Sequence, residues 1–373
     1  MRIMHVIDSL DLGGAERMLV EIANAAAADG NEVFACVTRS GTILASDLGP
    51  KIELIVLNRR YRLDLSAMWR IADFAHRHCV DIFHVHGRTT LSFVAAVRTL
   101  RLSRIPIVFH DHYGSIETEQ SVPHWFRQWG RHHVSQYVGV YAKLASWAAN
   151  AGIAPERIHV IENAVNLSRF DFETREPTLR QQFAIPNELP LGVVVGGIRP
   201  DKGVDVLLNA LAQSQYRGAF KIVLIGGERD ADYAAACRTQ CNLLGLDNMV
   251  IFGGERPDAA GLLPEADFAV LPSRSESGPL VLIEYVAAGL PVVATRVGSV
   301  GAQLHSVGLP DFVDAGDIQG LALALDNLLR LTSHQRRRRG EIGREVARRY
   351  FDIRRTMSQW YAVYNAAIMG EKR

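Results

Sequence analysis

The sequence contains no run of about 18 apolar residues, so no segment is expected to span a membrane. It also shows no signal peptide, because Met1–Ile7 reads as the first strand and Asp8 ends the apolar run. Four cysteines show no disulfide framework and are interpreted as reduced packing residues. These absences predict a cytoplasmic protein.

The sequence also lacks an excess of charge of one sign. Its 41 Lys and Arg residues and 40 Asp and Glu residues leave a formal net charge of +1, which argues against a dedicated nucleic-acid-binding protein. Hydrophobic residues make up 48% and charged residues 22%, as in ordinary globular proteins. A length of 373 residues favours two domains.

Strand-like and helix-like segments alternate along the chain, which predicts parallel sheets with helices on both faces. The predicted strands of the first half are Arg2–Ile7, Glu32–Thr38, Ile52–Leu57, Ile82–His86 and Ile107–His110. Those of the second half are Leu191–Gly197, Lys221–Ile225, Met249–Phe252, Phe268–Leu271 and Pro291–Ala294. A polar, proline-containing stretch separates the halves. We therefore expect a first domain at 1–170, a linker at 171–186, a second domain at 187–350, and a helix at 351–373 that crosses back to the first domain.

Two glutamates, Glu276 and Glu284, enclose a predicted helix start in the second half. Gly278-Pro279 predicts a turn with proline near the first helical position. The unpaired N–H groups of a helix start favour an anion such as a diphosphate, and carboxylates on either side can accept hydrogen bonds from sugar hydroxyls. The alternative is a capping glutamate and a surface glutamate.

A second motif, Gly196–Gly203, follows a predicted strand and opens a helix. Arg199 and Lys202 place cations where a phosphate would bind, and the glycines permit close approach. The alternative is an exposed turn with two solvated charges. Both motifs lie at carboxyl ends of strands in one predicted sheet, where open α/β sheets bind ligands.

The first half carries weaker signals. Gly13-Gly14 precedes a predicted helix, where the backbone can approach a ligand, but it matches neither a dinucleotide fingerprint nor a Walker motif. His110 ends a predicted strand and is a candidate for contact with the reacting centre; the alternative is a core or capping histidine.

No metal site is predicted. His84, His86 and His112 lack an established ligand spacing. Asp230 and Asp232 form the D-x-D pair that binds a divalent ion in another class of sugar-transferring enzymes, yet they precede an alanine-rich helix, whose N-terminus favours acids in any case.

The order of these motifs resembles the family-4 glycosyltransferases, which are retaining enzymes of the GT-B fold. The matching segments are Gly13–Glu16, Glu162–Asn166, Arg199–Gly203, Glu276–Glu284 and Gly289–Thr295. The resemblance implies two Rossmann-like parallel-sheet domains facing a cleft, with the acceptor on the side of the first domain and a nucleotide sugar bound by the second.

The resemblance also implies a role for each matching residue. Catalysis is assigned to His110, Glu276, Arg199 and Lys202. Donor binding is assigned to Gly13, Gly14, Arg199, Lys202, Glu276, Ser277, Gly278, Leu280, Val281 and Glu284. Within these sets the two cations hold the diphosphate, Glu276 binds hydroxyls of the donor sugar, and Glu284 binds the ribose.

Two departures from the family pattern bear on the donor sugar. Gly278 stands where an aromatic residue is common, and Val297-Gly298-Ser299 replaces Val-Gly-Gly. We expect transfer of a hexose from a UDP-sugar, with GDP-mannose as the next choice, and no cofactor or metal. The expected acceptor is an oligosaccharide or lipid-linked sugar in bacterial surface or exopolysaccharide assembly. The alternatives are a GT-B epimerase acting on nucleotide sugars and a non-catalytic nucleotide-binding member.

The aromatic and basic stretch Pro123–His133 bears on the acceptor. Residues Trp125–Trp129 are expected to form a peripheral contact with the cytoplasmic face of a membrane, where a lipid-linked acceptor would lie. The alternative is a helix with a partly buried aromatic face. Arg59, Arg60 and Arg62 add a basic patch elsewhere in the first half.

Overall fold

The computed structural model describes residues 1–171, 179–257, 259–299, 304–305, 307–309 and 311–371. The chain divides into two compact units. The first comprises Met1–Ala164 and Ile353–Arg373, and the second comprises Val165–Asp352. Each unit is built on one parallel sheet.

The first unit has a seven-stranded parallel sheet in the order β3-β2-β1-β4-β5-β6-β7. Its strands are β1 (Arg2–Ile7), β2 (Glu32–Val37), β3 (Glu53–Val56), β4 (Ile82–His86), β5 (Ile107–Asp111), β6 (Gln136–Gly139) and β7 (Ile158–Val160). Its helices are α1 (Gly14–Ala28), α2 (Leu65–Arg77), α3 (Arg88–Thr99), α4 (His124–Gln128), α5 (Ala142–Asn150) and the C-terminal α13 (Ile353–Glu371). The central strands β4 and β5 are buried at every position, as expected for a sheet covered by helices on both faces.

The second unit has a six-stranded parallel sheet in the order β10-β9-β8-β11-β12-β13. Its strands are β8 (Leu191–Val195), β9 (Lys221–Ile225), β10 (Val250–Gly254), β11 (Phe268–Leu271), β12 (Val292–Thr295) and β13 (Asp311–Val313). Its helices are α6 (Leu179–Gln182), α7 (Val204–Gln213), α8 (Ala231–Leu243), α9 (Ala259–Leu262), α10 (Leu280–Ala287), α11 (Ile318–Arg330) and α12 (Ser333–Tyr350).

Both sheets begin with the strand order of a doubly wound nucleotide-binding domain. In each, the first strand lies between the second and the fourth, so the chain changes direction across the sheet beside that strand. These positions are β1/β4 in the first unit and β8/β11 in the second. The loops that follow the strands diverge there and leave a crevice at the carboxyl edge.

The unit boundaries differ from those expected. Residues 165–170 belong to the second unit, because the N–H of Val165 donates to the carbonyl of Phe351 at 2.9 Å. Residues 179–186, expected in a linker, also belong to the second unit, where Arg180 pairs with Asp267 at 2.9 Å. The remainder of the expected linker, apart from 171, lies outside the described residues.

The four cysteines are free thiols, and Cys237 and Cys241 are buried packing residues, as predicted. Among the helices of the described residues, none has the length and apolar character needed to cross a bilayer.

Candidate functional site

The neighbouring strands β8 and β11 bring the two predicted motifs of the second unit together. The loop 196–203 leaves β8, and the loop 272–279 leaves β11. Gly203 permits their close approach: its φ is +66°, and a Cβ atom there would lie 2.1 Å from the carbonyl oxygen of Pro272. The prediction that both motifs lie at carboxyl ends of strands in one sheet is confirmed.

Lys202 and Glu276 form the central contact between these loops. The Nζ atom of Lys202 lies 2.6 Å from Oε1 of Glu276, and the hydroxyl of Ser273 donates to the same oxygen at 2.9 Å. Glu276 is 9% exposed, and within the described part of the chain its Oε2 atom has no partner. The carboxylate is therefore held through one oxygen while the other remains available to a ligand.

Arg199 lies on the same loop but is half exposed and pairs with Asp201, with Nε 3.0 Å from Oδ1. The loop is fastened from the other side by Arg274, whose N–H donates to the carbonyl of Asp201 at 2.7 Å. The guanidinium of Arg274 also binds both carboxylate oxygens of Asp205 at 2.7 and 2.6 Å. Sequence reasoning missed this bracing role of Arg274, although the residue lies inside the motif.

Helix α10 begins at Leu280 with Pro279 as its N-cap residue, as the Gly-Pro pair predicted. The first N–H groups of a helix, here those of Leu280 and Val281, have no acceptor within the helix. Glu284 lies one turn further on, with Oε1 3.5 Å from Nη1 of Arg169. Arg169 was not predicted, because 115 residues separate it from Glu284.

The segment 297–299, where the sequence departs from the family pattern, packs against the loop of Glu276. The N–H of Ser299 donates to the carbonyl of Ser277 at 3.0 Å. Gly298 has a φ of +72°, and a Cβ atom there would lie 2.8 Å from that same carbonyl oxygen. The Oγ atom of Ser299 is buried and, among the described residues, has no partner. This departure therefore adds a polar side chain to a segment that packs against Ser277.

In the first unit, Gly13 caps α1 and Gly14 opens it. Gly14 is exposed, and nothing lies within 4 Å of the position that a Cβ atom would occupy. At Gly13, by contrast, a Cβ atom would lie 2.2 Å from Oε2 of Glu16 in the first turn of the helix. The contact of the glycine pair with a ligand stays a prediction.

Five histidines cluster on the neighbouring strands β1, β4 and β5 and just after β5: His5, His84, His86, His110 and His112. Trp360 of α13 packs on this cluster, with its ring 4.8 Å from that of His84 and 4.7 Å from that of His110. Burial lowers the pKa of His5 and of His112 to about 3. Burial and, secondarily, the neighbouring imidazoles hold the pKa values of the other three well below the usual range. The five rings are therefore neutral at pH 7.

Two groups in this cluster could hold a metal ion, His5–His84–His86 and His86–His110–His112. Yet the rings meet in pairs, with N···N distances of 3.1 Å (His5–His86), 3.2 Å (His84–His110) and 3.3 Å (His86–His112). The ring centroids of these pairs are 5.4, 5.3 and 5.5 Å apart. Each value is close to the N···N distance plus the distance from each nitrogen to its own ring centre, so the two nitrogens lie nearly on the line that joins the ring centres. In each pair one ring nitrogen therefore points directly at the other, as in a hydrogen bond. The ligand nitrogens of a tetrahedral ion would instead point at the ion, which lies off the line that joins them.

One of these hydrogen-bond chains fixes the protonated nitrogen of His110. The hydroxyl of Tyr364 has one partner among the described residues, Nδ1 of His84 at 2.8 Å. Desolvation raises the pKa of Tyr364 well above its usual value, so the buried hydroxyl keeps its proton and donates it to that nitrogen. A neutral imidazole that accepts at Nδ1 carries its proton on Nε2, so His84 donates to Nδ1 of His110.

By the same rule, His110 carries its own proton on Nε2. That atom is buried and has no partner within the described residues. His110 therefore presents an unpaired N–H donor and not a base. Sequence reasoning missed His84 and Tyr364 in this role, because Tyr364 lies 280 residues from His84.

Asp111 follows His110 in β5, and strand alternation places its side chain on the opposite face of the sheet. Its carboxylate accepts from Arg88 at 3.0 Å, from the hydroxyl of Tyr137 at 3.0 Å and from the N–H of Tyr113 at 3.1 Å. With these donors already bound, Asp111 is not available as a nucleophile.

Two further predictions concern residues outside these clusters. Asp230 caps α8 by accepting from the N–H of Tyr233 at 3.0 Å, so its predicted structural role is confirmed.

The expectation of a lipid-facing stretch at Trp125–Trp129 is wrong for Phe126, which is fully buried against Trp147 at a centroid distance of 5.0 Å.

Comparison with known proteins identifies the family. Residues 12–169 match the family model described as Glycosyltransferase Family 4, and residues 190–331 match the one described as Glycosyl transferases group 1. Together the two matches span about four-fifths of the chain. The chain belongs to the family-4 glycosyltransferases. The identification from its motifs is thus confirmed, and it is an enzyme that transfers a sugar.

Two relatives of this glycosyltransferase support its assignment as a hexosyltransferase. It is 24% identical to N-acetyl-alpha-D-glucosaminyl L-malate synthase of Bacillus anthracis over 312 residues, covering 83% of this chain and 81% of that enzyme. It is 30% identical to D-inositol 3-phosphate glycosyltransferase of Mycobacterium bovis over 224 residues, covering 58% of this chain and 45% of that enzyme. The second match thus spans less than half of the relative's length.

A solved structure shows the fold. Alr3699/HepE of Anabaena, crystallised with UDP and glucose, superposes on the glycosyltransferase with a TM-score of 0.81 at 22% identity. The match covers 97% of this chain and 99% of that one. The predicted GT-B fold, with two parallel-sheet α/β domains, is confirmed.

Proposed function

We propose that this glycosyltransferase moves a hexose from a UDP-sugar to a sugar acceptor with retention of anomeric configuration. The observation that carries the proposal is the Lys202–Glu276 pair at the β8/β11 crevice, where one carboxylate oxygen has no partner among the described residues. GDP-mannose is the second choice of donor. The UDP and glucose bound by the Anabaena protein support the first.

The donor would bind across the two loops of the second unit. Lys202 and Arg199 are assigned to the diphosphate, together with the N–H groups at the start of α10, because cations and a helix N-terminus both stabilise phosphate charge. Oε2 of Glu276 would accept from hydroxyls of the sugar, and Glu284 from those of the ribose. Gly13 and Gly14 of α1 are assigned to backbone contacts with the donor phosphate.

Retention would proceed without a carboxylate nucleophile. Oε1 of Glu276 is already bound by Lys202 and Ser273, its Oε2 is assigned to hydroxyls of the donor sugar, and Asp111 is occupied by its own donors. We assign the reaction to departure of the diphosphate and attack by the acceptor on the same face, through an oxocarbenium-like state. The leaving diphosphate takes the proton of the acceptor, while Arg199 and Lys202 stabilise its charge.

His110 is assigned to the transferred sugar. Its Nε2–H donor suits a hydroxyl oxygen of that sugar. Because the ring is neutral, it adds no positive charge beside the oxocarbenium-like carbon. The acceptor that we propose is an oligosaccharide or lipid-linked sugar in bacterial surface or exopolysaccharide assembly, with peripheral membrane contact. This part of the proposal rests on the chemistry of the family.

Removal of donor contacts should weaken binding of the nucleotide. Arg199→Ala and Glu284→Ala each delete a charged hydrogen-bonding group, so we expect UDP to bind less tightly by about 1.5–3 kcal/mol in each variant. Isothermal titration calorimetry measures this directly. Arg217→Ala is the matched control, because this exposed arginine binds the carbonyl of Gly245 in the loops at the amino edge of the sheet. Unchanged UDP affinity in both test variants would remove the assignment of the donor site.

Removal of the Tyr364 hydroxyl should allow the proton of His110 to occupy either ring nitrogen. In Tyr364→Phe, Nδ1 of His84 loses its donor, so we expect His110 to become a mixture of tautomers in ¹⁵N-histidine NMR spectra, and kcat to fall by about three- to tenfold with little change in KM. Tyr361→Phe is the control, because its hydroxyl, on the same helix, binds Asp29 at 2.6 Å. A proton on Nδ1 of His110 in the unmodified enzyme would contradict the series of hydrogen bonds from Tyr364 through His84 to His110.

A further inference from the structure

A pocket of about 490 Å³ lies at the amino edge of the first sheet, where β4 and β5 begin. It is bounded by the end of α2, the loop after α3 and the last turns of α13. Its lining includes the apolar residues Val80, Ile105, Pro106 and Ile368, each of them buried or half-buried. A pocket of this size, with an apolar lining and a few polar groups, is typical of small-molecule sites.

Two arginines, Arg101 and Arg104, line the same pocket. Both are exposed, and within the described part of the chain neither guanidinium has a hydrogen-bond or ion-pair partner. An arginine presents its donors in a planar fork that matches the oxygens of a phosphate or carboxylate. The pocket therefore offers two such forks beside an apolar surface.

The backbone at Arg101 is unusual for an arginine. Helix α3 ends in a turn in which the N–H of Arg101 donates to the carbonyl of Arg98 at 2.9 Å, and that of Leu102 to the carbonyl of Val97 at 3.1 Å. Arg101 has a φ of +55°, in the left-handed region, where glycine is the usual residue at such a helix end. An arginine at a position that glycine would occupy with less strain indicates a function for its side chain.

Two carboxylates, Asp81 and Glu371, also line the pocket, and both already accept hydrogen bonds. Oδ2 of Asp81 accepts from the N–H of Arg2 at 2.7 Å, and Oε1 of Glu371 accepts from the guanidinium of Arg98 at 2.6 Å. Because Arg98 neutralises Glu371, the two unpaired guanidinium groups of the lining face the single charge of Asp81. The balance of these groups is positive, which favours an anionic ligand.

The pocket is separate from the site assigned to the reaction. Pro106 lies at the pocket and His110 lies four residues further along the chain, about 13 Å away in an extended strand. Helix α13 contacts both places, because Ile368 and Glu371 line the pocket while Tyr364, one turn earlier, begins the series of hydrogen bonds that ends at His110. A ligand can thus bind here without displacing a donor, and it would contact the last turns of α13.

We propose that this pocket binds the phosphate monoester of a small molecule with an apolar body. Arg101 and Arg104 bind the phosphate, whose three terminal oxygens can accept from both guanidinium groups, whereas a carboxylate has only two oxygens. The apolar body packs against Leu102, Ile105 and Ile368. The site is independent of the donor and of the transfer reaction.

Isothermal titration calorimetry with phenyl phosphate tests the site. The full chain is first saturated with UDP, so that the proposed diphosphate site is occupied. We expect one molecule of phenyl phosphate to bind, and inorganic phosphate, phenol and benzoate to bind at least about tenfold more weakly, because each lacks the apolar body or the phosphate. The same titration without UDP should give the same Kd.

Two arginine variants assign the binding to this pocket. Arg101→Gly removes a guanidinium and suits the positive φ at that position, so its melting temperature should not fall, while the Kd for phenyl phosphate should rise at least about tenfold. Arg104→Gln should raise the Kd by a similar factor. Arg337→Ala is the matched control, because Arg337 is an exposed arginine of α12 in the second unit, and it should leave the Kd unaltered.

Hydrogen exchange distinguishes this pocket from another phosphate site. Phenyl phosphate should slow exchange of the backbone N–H groups around Ile368 in the unmodified chain but not in Arg101→Gly. Four results would overturn the proposal: no binding, binding that UDP abolishes, a Kd unchanged in both arginine variants, or equal binding of inorganic phosphate. Tighter binding of benzoate than of phenyl phosphate would also overturn it, since the ligand would then be a carboxylate.

Discussion

Replacing Lys202 by alanine should lower kcat by about 10²- to 10³-fold, which is the usual effect of deleting one group that stabilises developing charge. The ammonium group is assigned to the leaving diphosphate, whose charge grows as the glycosidic bond breaks. In the structure the same group lies 2.6 Å from Oε1 of Glu276. Its removal therefore also leaves a nearly buried carboxylate without its cation, and the orientation of Glu276 toward the donor sugar should loosen.

Two further variants separate these effects from unfolding. Lys202→Arg retains the positive charge and should recover part of the lost kcat. Lys221→Ala removes a lysine at the start of β9, on the amino edge of the same sheet, and should leave kcat unchanged. Melting temperatures of all variants identify loss of fold. Full activity in a folded Lys202→Ala enzyme would contradict the assignment of the leaving-group site.

The second large effect concerns metal and stereochemistry. Since two cationic side chains and the N-terminus of α10 are assigned to the diphosphate, we expect activity to survive EDTA. Since Asp111 is occupied by its own donors and the unpaired oxygen of Glu276 is assigned to hydroxyls of the donor sugar, we expect transfer on the same face, and thus an α-linked product from an α-configured donor. If activity were lost in EDTA and restored by Mg²⁺ or Mn²⁺, this account would be contradicted. Asp230 and Asp232 would then be the candidate metal ligands.

The sequence predicted two strands of each unit with their observed bounds, and in the first unit these are β1 and β4. Strands β9 and β11 were predicted with their observed bounds, since both are short buried runs bounded by turns. Once β8 and β11 were placed in one sheet, the meeting of Lys202 and Glu276 followed from the rule that loops converge at the carboxyl edge. Local pattern and sheet geometry were sufficient there.

Several features of the first unit are determined by contacts between distant parts of the chain, which the local sequence pattern does not reveal. Strand β6 begins with Gln136 and ends with Gly139, so it shows no continuous apolar run, and β7 has only three residues. Neither strand was predicted. The five-residue helix α4 was equally too short to reveal that Phe126 faces the core. The tautomer of His110 depends on Tyr364 in a helix that returns from the far end of the chain. A single sequence does not specify which side chain of that helix meets His84.

The most direct test of the proposed reaction is NMR of the product formed by the purified enzyme. The enzyme is incubated with UDP-, GDP- and ADP-hexoses in EDTA, each with an acceptor panel that includes lipid-linked sugars, oligosaccharides, L-malate and inositol 3-phosphate. We expect a UDP-hexose to be consumed, and the anomeric proton of the new linkage to have the small coupling of an α-glycoside. A β-linked product, an epimerised donor formed without acceptor, or nucleotide binding with no turnover across the whole panel would contradict the account.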